Sequence, residues 1–69
     1  MQLTDLRRRV ERLDELAEGL AREVALWGGD DLLLSRERKA YLGAVQQALA
    51  GAELARRVLA NAVRRLEGR

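Results

Sequence analysis

Cysteine, histidine, proline and phenylalanine are all missing from this chain. Without cysteine there is neither a disulfide nor a thiolate metal site, and without histidine the commonest imidazole ligand and general base is gone. Without proline no ring interrupts a helix. Aromatic residues make up 3% of the chain, as Trp27 and Tyr41 alone, so a core must be built from aliphatic side chains. P-loop, dinucleotide-binding and nucleophile-elbow motifs are also lacking. Carboxylates such as Asp14, Glu15, Glu18, Asp30 and Asp31 follow no metal-loop spacing. The reading is therefore non-enzymatic, with no catalytic residue, cofactor or metal assigned.

What is present is aliphatic and charged. Hydrophobic residues account for 48% and charged residues for 35% of 69 residues, with Leu and Ala, both strong helix formers, prominent. Apolar runs such as Leu32-Leu33-Leu34 are too short to span a bilayer, and no basic segment precedes an apolar one near Met1. A cytoplasmic protein with no membrane partner is expected. Lys39 is the one lysine among 13 basic residues, an arginine bias in keeping with a GC-rich and thermophilic source.

Spacing then fixes the fold class. Leu3, Leu6, Val10, Leu13, Ala17, Leu20, Val24 and Trp27 alternate three and four apart, which is the seam of a heptad-patterned helix over residues 3–27. Gly28 and Gly29 suit a helix C-terminus, because glycine enters φ > 0 without steric cost, and Asp30 and Asp31 suit the start of another helix. A turn is expected at residues 28–31. The second helix starts at 32 or at 35 and runs to 66, with a seam through Tyr41, Val45, Ala48, Ala52, Ala55, Leu59, Ala62 and Leu66, flanked by Leu42, Leu49 and Val63. The chain thus reads as one all-α domain over residues 1–69, a two-helix antiparallel hairpin.

A chain this short rarely buries a self-sufficient core, so the hairpin is expected to dimerise, as an antiparallel four-helix bundle. The segment Ala40 to Ala52 carries no charge at all, which favours burial by another subunit. Leu20, Val24, Trp27, Leu32 and Tyr41, together with Leu42, Val45, Ala48, Leu49 and Ala52, are the candidate oligomer interface. Charge points the same way. Residues 1–12 and 54–69 hold nine arginines against three carboxylates, whereas residues 13–31 hold one arginine against six. Antiparallel copies would set each basic end beside an acidic one.

The arginines also supply the alternative reading, nucleic-acid binding at the basic end through Arg7, Arg8, Arg12, Arg56, Arg57, Arg64 and Arg65. Against it, the net charge is only +2 and consecutive arginines on a helix point about 100° apart.

Three resemblances accompany this reading. Helix length and heptad pattern resemble those of the small plasmid-copy-number RNA-binding proteins, whose two-helix chains pair into a four-helix bundle; the likeness is architectural and carries over no functional residue. Leu6-Arg7-Arg8-Arg9-Val10-Glu11-Arg12-Leu13-Asp14-Glu15 is similar to the opening helix of the all-helical chorismate mutases, and Ser35-Arg36-Glu37-Arg38 to their Asp-Arg-Glu-Arg segment. That resemblance implies a substrate-binding role for Arg7, Arg36 and Glu37, but the long continuation of the first helix and the third helix of that family do not follow. Trp27-Gly28-Gly29 is similar to the Trp-x-Gly turn of the small secreted helical hairpins of type VII systems, which have longer arms.

Overall fold

The structure, a computed structural model, describes residues 2–26 and 32–68. Within them the chain forms α1 (Leu3–Leu26) and α2 (Ser35–Glu67), packed side by side and antiparallel as a hairpin with extents of 53 × 17 × 14 Å. The long axis is the length of α2, since its 33 residues span about 50 Å at ~1.5 Å each. The thickness is that of one helix layer, so both broad faces of the hairpin are open.

The two helices begin in the same way. At α1, the Asp5 carboxylate accepts a hydrogen bond from the Gln2 backbone N–H at 3.2 Å. At α2, the Glu37 carboxylate accepts one from the Leu34 N–H at 2.9 Å. Each acid sits in the first turn, where it satisfies an otherwise unpaired donor and meets the positive end of the helix dipole. Of the two starts that the sequence allows for α2, the chain uses Ser35, because Leu34 is extended (φ −68°, ψ 156°) and Glu37 is correctly spaced to bond back to it. The far end of α2 closes with the Gly68 N–H on the Arg64 carbonyl at 3.0 Å and two arginines in its last turn. The expected turn at 28–31, and Trp27 with it, lies outside the described residues.

The seam of α1 follows the heptad pattern: Leu3, Leu6, Val10, Leu13, Ala17, Leu20 and Val24 are all half-buried. The seam of α2 follows the expected line in part: Val45 and Ala52 are buried and Ala55, Leu59 and Ala62 half-buried, whereas Tyr41, Ala48 and Leu66 are exposed and the flanking Leu42, Leu49 and Val63 are half-buried. The helix is rotated so that the larger side chains flanking the expected seam are covered in place of Tyr41 and Ala48. Burying a leucine in place of an alanine removes more apolar surface from water, so this rotation is the more stable one. Arg56 falls at the step between Ala52 and Leu59, where it stays exposed and its guanidinium pairs with Asp14 across the helices.

Candidate association surface

Ion pairs and side-chain contacts identify the two broad faces of the hairpin. On one, Arg7 pairs with Glu67 and Arg56 with Asp14, each bridging the helices, and a shallow hollow between the helices is lined by Arg7, Val10, Glu11, Ala60, Val63 and Arg64. This is the ion-pair face. Glu53, Arg57 and Arg64 lie at helical spacing on the same flank of α2.

The opposite face is different in kind. Tyr41 donates a hydrogen bond from its hydroxyl to Glu23 at 2.7 Å, and another hollow, of about 230 Å³, is lined by Arg9, Arg12, Leu13 and Leu59. Counting in steps of three and four from these markers, α1 presents Arg9, Leu13, Leu16, Leu20 and Glu23. The corresponding line on α2 is Tyr41, Ala44, Ala48, Gly51, Ala55, Val58 and Ala62. No charged side chain interrupts the α2 line. Leu16 is 51% exposed and Val58 58%, both large apolar groups left in water by the single chain. Carboxylate acceptance by Glu23 holds the Tyr41 phenol above its ordinary range, because ionising the phenol would set two negative oxygens together.

The sequence-derived interface residues divide between the hairpin's own seam and this open face. Val45 and Ala52 are buried against α1, with Leu42 and Leu49 half-buried beside them. Leu20 and Val24 are half-buried on α1, Leu20 in the line just described. Tyr41 and Ala48 belong to the open face. Leu32 is 91% exposed at the turn end, and Trp27 is outside the described residues. Leu16, Ala44, Gly51, Ala55, Val58 and Ala62 complete the open face, Ala55 and Ala62 being half-buried positions of the expected α2 seam, and none of the six is among the interface candidates. The signal for them was available. Glu53 ends the charge-free run when the sequence is read in a line, but it projects to the ion-pair side and leaves the opposite flank uncharged as far as Ala62.

The candidate nucleic-acid arginines do not gather on one surface. Arg7 and Arg56 are engaged by Glu67 and Asp14. Arg8 and Arg12 surround a hollow that also holds Asp5 and Arg9, while Arg64 lines the hollow on the ion-pair face. Arg7 likewise lies at the opposite end of the hairpin from Arg36 and Glu37, so one chain does not assemble the three residues of the chorismate mutase resemblance. Among the described residues, no cluster of acidic side chains forms a metal site and no helix is long and apolar enough to cross a membrane. Comparisons with protein-family models, with curated proteins and with solved structures return no match for the chain.

Proposed function

We propose that this protein is a non-enzymatic structural and interaction module that works as a homo-oligomer, in the first instance a dimer of hairpins forming a four-helix bundle. One observation carries the reading: the hairpin leaves too much of itself in water. Among the described apolar residues only Val45 and Ala52 are buried, and the accessible surface is 5568 Å². A compact monomer of 7.8 kDa has about 4,400 Å². The excess of roughly 1,200 Å² per chain, twice that for a pair, is the scale of an obligate homodimer interface.

In this reading folding and association share one core, so the module is assembled or it is unfolded. An adaptor, an assembly element or a small regulator in the cytoplasm fits such a module. Sedimentation equilibrium combined with circular dichroism tests it. The expected result is a helical dimer that loses helicity on dilution; a stable, helical monomer at micromolar concentration overturns it. The nucleic-acid alternative is tested by retention on mixed RNA and DNA at low salt, and complete loss of that retention by moderate salt is its required signature.

A further inference from the structure

We infer that the face bearing Leu16, Tyr41 and Val58 is the self-association surface, and that its occupant is a second copy of this chain docked antiparallel about a two-fold axis at Leu16. The inference rests on the homo-oligomer reading above and adds to it which face is used, in which orientation and in which register.

Charge selects the occupant. On this face α1 begins with Arg9, ends with Glu23 and has Leu16 at the midpoint, seven residues from each. A two-fold axis through Leu16, perpendicular to the helix, stacks α1 on the partner's α1 in the opposite direction. Arg9 then meets the partner's Glu23 at both ends, and Leu16 meets the partner's Leu16 at the centre. The whole hairpin has the same polarity, basic at its open end and acidic toward the turn, so this docking sets unlike ends together. An axis along the hairpin would stack the basic ends on each other.

The second helix is consistent with the same axis. Asp14 meets Arg56 and Glu23 meets Tyr41, so Leu16 is level with the stretch of α2 between Gly51 and Ala55. Reversal about that level sets Gly51 against the partner's Ala55, Ala48 against the partner's Val58 and Ala44 against the partner's Ala62. These side chains are small, and helix axes approach more closely where side chains at the contact are small. Leucines on α1 and small residues on α2 therefore make a bundle in which the two α2 helices are close and the two α1 helices are wider apart. No charge is buried on α2 by this docking, whereas docking through the opposite face would cover Glu53, Arg56 and Arg64.

Cross-linking of single-cysteine variants tests the inference, because the chain has no cysteine of its own. Arg9→Cys and Glu23→Cys chains are mixed, equilibrated through unfolding and refolding, and treated with a short thiol-to-thiol linker. The mixture is expected to give mainly the mixed dimer, with little product from either variant alone. Arg7→Cys mixed with Ala25→Cys places the equivalent pair on the ion-pair face and is expected to give little product. Efficient linkage of Arg9→Cys or Glu23→Cys to itself means parallel docking and overturns the inference. Preferential linkage of the Arg7→Cys and Ala25→Cys pair, or no linkage of any pair in a sample that sediments as a dimer, overturns it as well. A folded wild-type monomer in sedimentation overturns the homo-oligomer reading too, so the two failures are distinguishable. Circular dichroism of each variant confirms that the helices are intact before linkage is scored.

Discussion

The two broad faces of the hairpin share one backbone and differ in what their side chains can do alone. The ion-pair face is complete in one chain: Arg7 and Glu67, and Arg56 and Asp14, find their partners across the seam and remain hydrated. The opposite face ties its helices together with the Tyr41 to Glu23 hydrogen bond, while Leu16 and Val58 remain more than half exposed. Exposed ion pairs contribute at most about 1 kcal/mol each, and burial of a large aliphatic side chain contributes about 1.5–3 kcal/mol. The face that satisfies itself is therefore the weaker source of stability. The face with more to gain is the one left open.

The largest effect expected is one that ignores the difference between the faces. Val45 lies in the seam beneath both, 9% exposed, and Val45→Asp puts an unpaired carboxylate there. The cost is roughly 3–5 kcal/mol, comparable with the whole stability of a domain this small. Circular dichroism is expected to show loss of helix at any accessible protein concentration. A helical, dimeric Val45→Asp chain would mean that the seam described here is not the core.

A matched pair of substitutions separates the faces at the next level. Ala48 and Ala50 are both exposed in one chain and two residues apart on α2, so glutamate at either costs the isolated hairpin only a few tenths of a kcal/mol. Ala48→Glu places its charge on the open face, Ala50→Glu on the far side of the helix. Sedimentation should show dimer affinity reduced by about a hundredfold or more for the first and unchanged within a few-fold for the second. Equal effects would remove the distinction between the two sides of α2.

Much of the fold is legible from spacing alone, and the reasons for what is not are physical. The α1 seam has one apolar residue at each three-four step and leucine at half of them, so the covered side is unambiguous. The second helix offers two adjacent apolar lines. One is Leu42, Val45, Leu49, Ala52, Leu59 and Val63; the other is Tyr41, Ala44, Ala48, Gly51, Ala55, Val58 and Ala62. Spacing cannot rank two lines with the same period. Side-chain size does, because α1 covers the line with more leucine and valine. A helix apolar along two lines has room for two neighbours, and a hairpin supplies only one, which is the ground of the proposed association. The interface candidates therefore mixed residues of both lines, and the run of uncharged sequence, judged without regard to face, stopped at Ala52.

Glycine offers a finer probe of the same contrast. A Cβ added at Gly43 or Gly51 meets nothing within 4 Å in the single chain. Replacing a mid-helix glycine by alanine stabilises a helix by about 0.5–1 kcal/mol, so both changes favour the isolated hairpin equally. Gly43 is on the far side of α2 and Gly51 is on the open face. Gly43→Ala is expected to raise the thermal midpoint of the dimer by a few degrees, while at Gly51 the added methyl meets the partner helix and the gain is cancelled or reversed. Equal gains at both sites would place Gly51 away from any contact.

The smallest effect couples the ends of the open face through one titration. Tyr41 is the only tyrosine, so the phenolate absorbance reports it alone. Its pKa is raised above the ordinary value of 10.0, first by the hydrogen bond to Glu23 and then by desolvation and the repulsion of that carboxylate. A raised value means that this interaction stabilises the fold fully below about pH 10 and is lost as pH rises through the folded value. Glu23→Gln should move the titration back toward the ordinary value. Arg9 is the more telling change. Within one chain it is 14 residues from Glu23, about 21 Å along the helix and more than two Debye lengths away at physiological salt. In the proposed antiparallel dimer the partner's Arg9 would stand beside Glu23 and offset part of its negative charge. Arg9→Gln should therefore raise the Tyr41 pKa further in the dimer, while a control such as Arg8→Gln leaves the titration where it is. A Tyr41 titration that Arg9→Gln leaves unmoved in the dimer, or that Arg8→Gln moves equally, would remove the pairing of Arg9 with the partner's Glu23.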